Sequence, residues 1–319
     1  MSLLLRSLLL VAAGLVFFFV AGIVAVWAPD KPLDLLVERW APPPSQFLAI
    51  GGMQVHLRDE GPRDDPYPIV LLHGTSDSLH TWDGWAERLR QRRRVIRFDL
   101  PGFGLTGPHP LGDYRIEAYV RFVADLLDRL GLQSVVLGGN SLGGQIAWSA
   151  AVRMPTRVHQ LILVDAAGFV LEPQQVPLAF AVARWRWAGR LAEYLLPRGL
   201  VLASLRSVYG DPAKVGPALV DRYYDMALRQ GNRGALARRL AAIGQEPDPQ
   251  GLQSLHMPTL LLWGARDSLI PLRFGRQFAQ AIAGSRLVVF EGLGHLPQQE
   301  DPARSGSEVE RFLGLTPPD

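Results

Sequence analysis

A glycine-rich turn at residues 138–144, Gly-Gly-Asn-Ser-Leu-Gly-Gly, joins an apolar run that ends at Leu137 to a helical pattern. This order predicts a buried strand, a sharp turn with Ser141 at its tip, and then a helix. A residue held in so tight a turn needs small residues two positions before and two positions after it. Gly139 and Gly143 occupy those positions. The motif therefore constrains this part of the chain to a strand, turn and helix unit.

Ser141 is a candidate nucleophile. The turn exposes its hydroxyl and aims the first backbone N–H groups of the helix at the space in front of it, where negative charge develops during acyl transfer. The chain contains no cysteine, so thiol nucleophiles, thiolate zinc sites and disulfides are excluded. A nucleophile in this chain must therefore be an oxygen or nitrogen group.

Short apolar runs recur along the chain, and helical patterns separate several of them. The runs cover residues 68–72, 134–137, 161–164, 259–263 and 287–290, and residues 94–98 form a further predicted strand that contains two arginines. Runs of this length suit strands that are buried on both faces of a parallel sheet. Residues 47–50 and 53–58 predict a hairpin before them, and residues 114–130 predict a one-sided apolar helix. The pattern predicts a mostly parallel, doubly wound α/β sheet.

Between residues 169 and 256 this alternation stops, and the sequence becomes helical and rich in arginine and aromatic residues. We predict a helical cap there, inserted after the sixth strand, which divides the core into residues 46–168 and 257–319. The cap holds eleven basic and seven acidic side chains, although the whole chain carries a formal charge of only +3. This small overall excess does not indicate nucleic acid as a partner.

The arginine and tryptophan pairs at residues 184–187 suggest a role for the cap. Such pairs suit a lipid interface, so we expect the cap to face lipid and to admit a substrate with an apolar acyl chain. The alternative is that the tryptophans pack inward and the arginines form ordinary salt bridges.

The N-terminal segment predicts a membrane anchor. Residues 8–28 contain no charged side chain, and a helix of that length covers about 31 Å, enough for a bilayer core. A cleaved signal peptide is the alternative, but the run is longer than the usual signal-peptide core. We predict a transmembrane anchor over residues 1–28 and a proline-rich spacer over residues 29–45. Because Arg6 precedes the apolar run, the body is expected on the non-cytoplasmic side, periplasmic or extracellular.

Two loops supply the groups that a serine nucleophile needs. His295 lies in a glycine-flanked loop after the last predicted strand, and Asp267 follows the strand before it. Loops at the carboxyl ends of parallel strands meet at one edge of a sheet, so both side chains are expected near Ser141. His295 would be the base and Asp267 the acid that orients it. Asp165, at the end of the sixth predicted strand, is a rival acid.

Five motifs in the same order make the chain resemble the α/β-hydrolase-fold serine hydrolases over about residues 46–316. The motifs are His73-Gly74, Asp99-x-Pro101-Gly102-x-Gly104, Gly139-x-Ser141-x-Gly143, Asp267 and Gly294-His295. The resemblance implies that Ser141 is the nucleophile, Asp267 the acid and His295 the base. No cofactor and no metal are expected.

The resemblance also implies an oxyanion hole formed by the backbone N–H groups of Thr75 and Leu142, with Ser76 as the alternative to Thr75. Residues 102–107 match the G-x-G-x-x-G pattern of dinucleotide sites. Pro108 and Pro110 prevent the helix that should hold the pyrophosphate, so this match does not indicate a dinucleotide.

A serine nucleophile predicts an acyl-enzyme, with a small-molecule ester as the default substrate. Carbon–carbon bond hydrolases of the meta-cleavage-product type share the Gly-Asn-Ser elbow, and they are the first alternative. Those enzymes tend to have a glycine-rich oxyanion loop, whereas residues 75–78 of this chain are Thr-Ser-Asp-Ser. They also tend to have a tryptophan directly after the base, whereas this chain has Leu296 there. A binding protein of the same fold without catalytic activity is the second alternative.

Overall fold

The computed structural model describes residues 3–169, 194–243 and 248–315. Its eight strands are β1 (Gln46–Ile50), β2 (Met53–Glu60), β3 (Ile69–Leu72), β4 (Val95–Phe98), β5 (Val135–Asn140), β6 (Val158–Val164), β7 (Thr259–Gly264) and β8 (Arg286–Phe290). They form one sheet in the order β1-β2-β4-β3-β5-β6-β7-β8. The hairpin β1–β2 is antiparallel, β2 pairs antiparallel with β4, and every pairing from β4 to β8 is parallel. The predicted mostly parallel α/β sheet is confirmed.

The described residues also form α-helices, some of which cover the two faces of this sheet. They are α1 (Leu3–Val26), α2 (Leu33–Trp40), α3 (Asp83–Leu89), α4 (Ile116–Arg129), α5 (Leu142–Arg153), α6 (Arg198–Val208), α7 (Pro217–Leu228), α8 (Asn232–Ala241), α9 (Leu272–Ala281), α10 (Pro297–Glu300) and α11 (Pro302–Phe312). The predicted helix over residues 114–130 is observed as α4.

Side chains of successive strand residues point to opposite faces, and this alternation creates two apolar layers. On one face, Val70 and Leu72 of β3 pack with α4, α5 and α9. On the other, Ile69 and Leu71 pack with Trp85 of α3 and Val309 of α11. Burial on both faces explains why these strands are continuous apolar runs in the sequence. The carboxyl ends of β3 to β8 meet at one edge, where the motif loops lie.

Helices α6, α7 and α8 lie between β6 and β7, in the segment predicted to form the cap. Residues 184–187, on which the lipid-facing prediction rests, lie outside the described residues. The apolar side of α2 packs Leu36 against Leu105 and Met226. Residues 27–41 therefore connect α1 to the rest of the chain through direct contacts with the core and with α7.

Residues 3–26 form a helix, but within the described part of the chain no helix is both long and apolar enough to cross a membrane. The predicted single-pass membrane protein, with its body on the non-cytoplasmic side, is therefore wrong. The transmembrane anchor over residues 1–28, with membrane contact through residues 8–28, is likewise not supported.

Candidate active site

Ser141 stands at the tip of the turn between β5 and α5, with its side chain half-buried. Its backbone adopts φ 55° and ψ −117°, a conformation that a residue with a side chain rarely adopts and that costs about 1–3 kcal/mol. Two backbone hydrogen bonds hold it there. The Ser141 N–H donates to the Val164 carbonyl at 3.1 Å, and the Ser141 carbonyl accepts from the Ala167 N–H at 3.0 Å. The end of β6 therefore supports the strained turn.

The glycines around Ser141 are required by close backbone contacts. A Cβ atom on Gly139 would lie 2.2 Å from the Gly143 carbonyl oxygen, and one on Gly143 would lie 2.2 Å from the Leu72 carbonyl oxygen. Neither backbone atom can yield as a flexible side chain could. The close backbone contacts therefore require glycine at both positions, whatever the chemical role of Ser141.

His295 and Asp267 form a buried pair. The Nδ1 atom of His295 lies 2.6 Å from Oδ2 of Asp267. Because a carboxylate can only accept, Nδ1 carries the proton and Nε2 keeps its lone pair. The other oxygen of Asp267, Oδ1, accepts from the N–H groups of Leu269 at 2.8 Å and Ile270 at 2.9 Å. The carboxylate is thus fixed through both oxygens, and it sets the tautomer of the ring.

The structure brings Ser141, Asp267 and His295 to the same edge of the sheet, as predicted from their positions after β5, β7 and β8. No hydrogen bond between the Ser141 hydroxyl and the His295 ring is present among the described residues. Catalytic hydrogen bonds in many enzymes become short only when substrate binds. The catalytic roles of the three residues remain predictions at this point.

The backbone of His295 is held from two sides. Its carbonyl accepts from Nδ2 of Asn140 at 3.0 Å, and its N–H donates to the Val208 carbonyl at 2.7 Å. Asn140 also donates to the Val164 carbonyl at 3.1 Å. Asn140 therefore ties the His295 loop to the serine turn, a role that the sequence did not predict.

Glu300 is a further support that sequence reasoning missed. Its Oε1 accepts from the Gly294 N–H at 2.7 Å, and its Oε2 accepts from the Gly210 N–H at 2.9 Å. Burial raises the pKa of this carboxyl, while these N–H groups act in the opposite direction. Glu300 thereby fastens the segment after α6 to the loop that carries His295. Nothing in the local pattern around Glu300 signals this contact, because its partners are distant in sequence or are backbone groups.

The rival acid, Asp165, belongs to the same cluster. It is fully buried, and its Oδ1 accepts from the Gly264 N–H at 3.0 Å. One possible ligand atom from each of Asp165, Asp267 and His295 lies within 4.8 Å of the others.

Asp267, and not Asp165, makes the hydrogen bond to the His295 ring. Burial, and next the Asp267 carboxylate, raise the pKa of Asp165 well above its usual range. Two members of this cluster, His295 and Asp267, are hydrogen-bonded to each other.

The loop after β3 lies beside the serine turn. A Cβ atom on Gly74 would be 3.1 Å from the Ser141 Cβ. Thr75 and Ser76 follow, both half-buried, and Ser76 has φ 62°. Leu142 is the first residue of α5. The two predicted N–H donors thus belong to segments that adjoin Ser141, and their role in an oxyanion hole stays a prediction.

His73, in the same loop, is occupied by backbone groups. Its Nδ1 lies 2.7 Å from the Gly74 carbonyl, and its Nε2 accepts from the Leu100 N–H at 2.9 Å. Because Nε2 accepts, Nδ1 carries the proton and donates, which fixes a neutral ring. His73 therefore connects the loops after β3 and β4 and is not available as a second base.

A second chain of serine, histidine and aspartate lies elsewhere in the fold. Nε2 of His56 is 2.9 Å from the Ser45 hydroxyl, and its Nδ1 is 2.7 Å from Oδ2 of Asp99. Burial by itself would raise the pKa of Asp99, but the His56 ring lowers it well below its usual range. Ser45 lies in the loop before β1, with no helix N-terminus after it, and its hydroxyl accepts from Nε of Arg58 at 2.9 Å. This network lacks the exposed turn and the aligned N–H groups that Ser141 has.

A cleft lies next to the Ser76 turn. Its walls are mainly apolar and come from the loop after β4, from α7 and from α8, with Phe103, Met226, Ala227 and Leu236 among them. Asp77, Asn232 and Arg233 also line it, and it encloses only about 30 Å³, room for about one water molecule.

Comparison with known proteins agrees with this architecture. The sequence pattern of the alpha/beta hydrolase fold matches residues 67–302. A 2-hydroxy-6-oxo-2,4-heptadienoate hydrolase from Pseudomonas putida is 32% identical over 270 residues, covering 80% of this chain and 91% of that protein.

Two solved structures are also similar to this chain. A bacterial membrane phospholipase A has a TM-score of 0.74 at 25% identity, covering 97% of this chain and 96% of the other. An esterase from Thermogutta terrifontis has a TM-score of 0.70 at 28% identity, covering 85% and 97%. The sheet order, the serine turn and the extent of these matches show that the chain belongs to the α/β hydrolase fold family.

Proposed function

We propose that this protein is a serine hydrolase that cleaves carboxylic esters through an acyl-enzyme on Ser141. The observation that carries the proposal is the buried Asp267–His295 pair, 2.6 Å apart, at the sheet edge that also presents the strained Ser141 turn. A strained backbone persists only where the surrounding structure imposes it, and such strain concentrates at functional sites. The chemistry needs no group beyond those in the chain and a water molecule.

The reaction proceeds in two steps. The Ser141 oxygen attacks the ester carbonyl carbon while Nε2 of His295 takes the hydroxyl proton, and Asp267 stabilises the resulting imidazolium. The tetrahedral intermediate then expels the alkoxide, which receives that proton and leaves as the alcohol. Water attacks the acyl-enzyme while Nε2 of His295 takes one of its protons. The Ser141–acyl bond then breaks, the proton passes from His295 to the Ser141 oxygen, and the carboxylic acid is released.

The oxyanion of each tetrahedral intermediate would be stabilised by the N–H of Leu142 at the start of α5 and by an N–H from the Thr75–Ser76 turn. Donors placed in advance where charge develops usually make a large contribution to acyl transfer. The likeness to proteins named as an esterase and a phospholipase A supports an ester substrate.

A second candidate is carbon–carbon bond hydrolysis of a meta-cleavage product. The observation that favours it is the 32% identity to a protein named for that class of dienoate substrate. Against it, residues 75–78 lack the glycine-rich sequence typical of those enzymes, and Leu296 follows the base where they tend to have tryptophan. We therefore place ester hydrolysis first.

The test is a panel of p-nitrophenyl esters with acyl chains from short to long, measured beside a meta-cleavage dienoate. Ester hydrolysis that requires Ser141 and exceeds dienoate cleavage in kcat/KM supports the proposal. Faster cleavage of the dienoate would replace it with the second candidate. Absence of turnover on both, together with no labelling by a fluorophosphonate probe, would indicate a binding protein.

The chain offers a matched control for the choice of nucleophile. Ser45 is also hydrogen-bonded to a histidine that is paired with an aspartate, but it lacks the turn and the helix N-terminus. Fluorophosphonate labelling is expected to be lost in Ser141→Ala and kept in Ser45→Ala. Labelling on Ser45 in the wild-type protein would contradict the assignment of Ser141.

A further inference from the structure

Asp165 has a buried carboxyl that the proposed reaction does not use. Its side chain is fully enclosed, directly after the last residue of β6, and its backbone has φ 43°. Oδ1 accepts one N–H, from Gly264, but Oδ2 is buried without a conventional partner. A carboxylate oxygen of Asp267 lies within 4.8 Å of a carboxylate oxygen of Asp165 in the same cluster. A buried oxygen beside a second carboxylate needs a proton between the two groups.

The hydrogen bonds decide which of the two carries the proton. Asp267 accepts three, from the His295 ring and from the N–H groups of Leu269 and Ile270, and each of them stabilises its charged form. Within residues 3–169, 194–243 and 248–315, the Asp165 side chain accepts only the one from Gly264. Two adjacent carboxylates cannot both ionise in a buried site, and the better solvated one keeps the charge. The charge therefore stays on Asp267.

We propose that Asp165 is a protonated positioning residue, whose carboxyl O–H donates to Asp267 and so holds that carboxylate in place for His295. The inference rests on the proposed role of Asp267 and His295 as acid and base. It assigns the rival acid a different role, because Asp165 acts on the base only through Asp267.

Three ionisable groups face Asp165 from the elements packed around it. Asp267 comes from the loop after β7, His295 from the loop after β8, and Glu300 from α10. The two further carboxyl groups both disfavour a negative charge on Asp165. The environment thus agrees with the neutral form of Asp165 at neutral pH.

The test compares Asp165→Asn with Asp165→Ala. Asparagine keeps an N–H donor toward Asp267 and an oxygen for the Gly264 N–H, and it tolerates a positive φ. We expect its kcat/KM on a short ester to stay within about threefold of wild type, which is less than 1 kcal/mol. Asp165→Ala removes the donor and is expected to lower kcat about 10- to 100-fold with little change in KM, the usual loss when a partner that orients an active-site ligand is removed.

The pH profile separates positioning from a general structural role. Without the O–H donor, the Asp267 carboxylate becomes a stronger acceptor and stabilises the imidazolium of His295 more. The acidic limb of kcat/KM should therefore move to higher pH in Asp165→Ala and stay in place in Asp165→Asn. An unmoved limb in a folded Asp165→Ala variant, or a loss of more than about 100-fold in Asp165→Asn, would overturn the proposal.

A second measurement does not depend on activity or on the alanine variant. Infrared difference spectra of the wild-type protein and Asp165→Asn at neutral pH should contain the carbonyl band of one protonated carboxyl, present only in the wild type. Absence of that band would show that Asp165 is ionised, which overturns the inference even if ester hydrolysis is found. Failure of the proposed function appears differently, as a wild-type protein that neither hydrolyses esters nor reacts with the probe.

Discussion

Nδ1 of His295 and Oδ2 of Asp267 lie 2.6 Å apart, although the two residues are separated by 28 positions in the chain. The parallel register of β7 and β8, in which Gly264 pairs with Phe290, brings the loops after both strands together. The position of the pair is therefore a property of the sheet. Each loop then adds its own hydrogen bonds, to Leu269 and Ile270 on one side and to Val208 on the other.

Replacing the proposed nucleophile or base should abolish ester turnover. We expect Ser141→Ala and His295→Ala to lower kcat by about four orders of magnitude or more, because a nucleophile without its base is nearly as impaired as no nucleophile. Circular dichroism and thermal unfolding should show that Ser141→Ala keeps its fold, since only a half-buried hydroxyl is removed.

Asp267→Asn should also lower kcat by orders of magnitude, but less than the loss of Ser141. The amide cannot stabilise the imidazolium, and it favours the wrong tautomer of His295. Steady-state kinetics on a short ester measures the effect. Near wild-type rates for this variant, with an inactive Asp165→Asn, would mean that Asp165 is the acid.

The serine turn should not tolerate any side chain at Gly139 or Gly143. A Cβ at either position meets a backbone carbonyl oxygen at 2.2 Å, so Gly139→Ala and Gly143→Ala should each destabilise the protein by about 3 kcal/mol or more. Gly199→Ala in α6 is the control, because a Cβ there has no neighbour within 4 Å. It should leave the free energy of unfolding unchanged or raise it by up to about 1 kcal/mol. Urea denaturation of the three variants checks this, and equal stabilities would contradict the steric explanation.

Stability should fall on mild acidification because of His80. Burial lowers the pKa of His80 to about 4, against 6.5 for the unfolded chain. Between pH 4 and pH 6.5 His80 is protonated in the unfolded state but neutral in the folded state. The free energy of unfolding therefore rises with pH across this window, and it decreases as the pH falls from 6.5 toward 4. From pH 7 to pH 5 the loss is on the order of 2 kcal/mol.

His80→Gln is the control for that prediction. The His80 ring lies 2.8 Å from the Trp40 carbonyl and 3.0 Å from the Ser78 hydroxyl, and glutamine offers a donor and an acceptor without a titrating group. Urea unfolding of both proteins at pH 7 and pH 5 should give a smaller loss for the variant. An equal loss would assign the pH dependence to other groups.

Asp225 should be important for holding residues 27–41 in place. It is buried, and it accepts from Nζ of Lys31 at 2.6 Å, Nε1 of Trp40 at 2.8 Å and Nη1 of Arg39 at 3.4 Å. Asp225→Ala leaves the indole N–H without its partner and removes two ion pairs, with an expected loss of about 2 kcal/mol. Asp221, which pairs with Arg39 and Arg198 at the surface, is the matched control. Thermal unfolding should separate Asp225→Ala from an almost unaffected Asp221→Ala, and equal effects would contradict a special role for Asp225.

The sequence by itself determined the sheet, the serine turn and the three residues that meet at its edge. These are consequences of local constraints. Strands buried on both faces must be continuous apolar runs, a turn as tight as the one at Ser141 requires Gly139 and Gly143, and the carboxyl ends of parallel strands lie together. The order of the motifs along the chain was therefore sufficient to predict which loops approach one another.

Only the tertiary structure decided how the buried polar groups are paired. The sequence left Asp165 and Asp267 as rival acids, and the choice depends on distances across separate loops. The contacts of Asn140 and Glu300, and the network of Ser45, His56 and Asp99, likewise join residues far apart in the chain or bind backbone groups that carry no sequence signal. The sequence also led to one wrong prediction, because the uncharged stretch at residues 8–28 predicted a membrane anchor that the described structure does not support. Periodicity reports which face of an element is buried, whereas the partner of a buried polar atom is fixed only when the elements have packed.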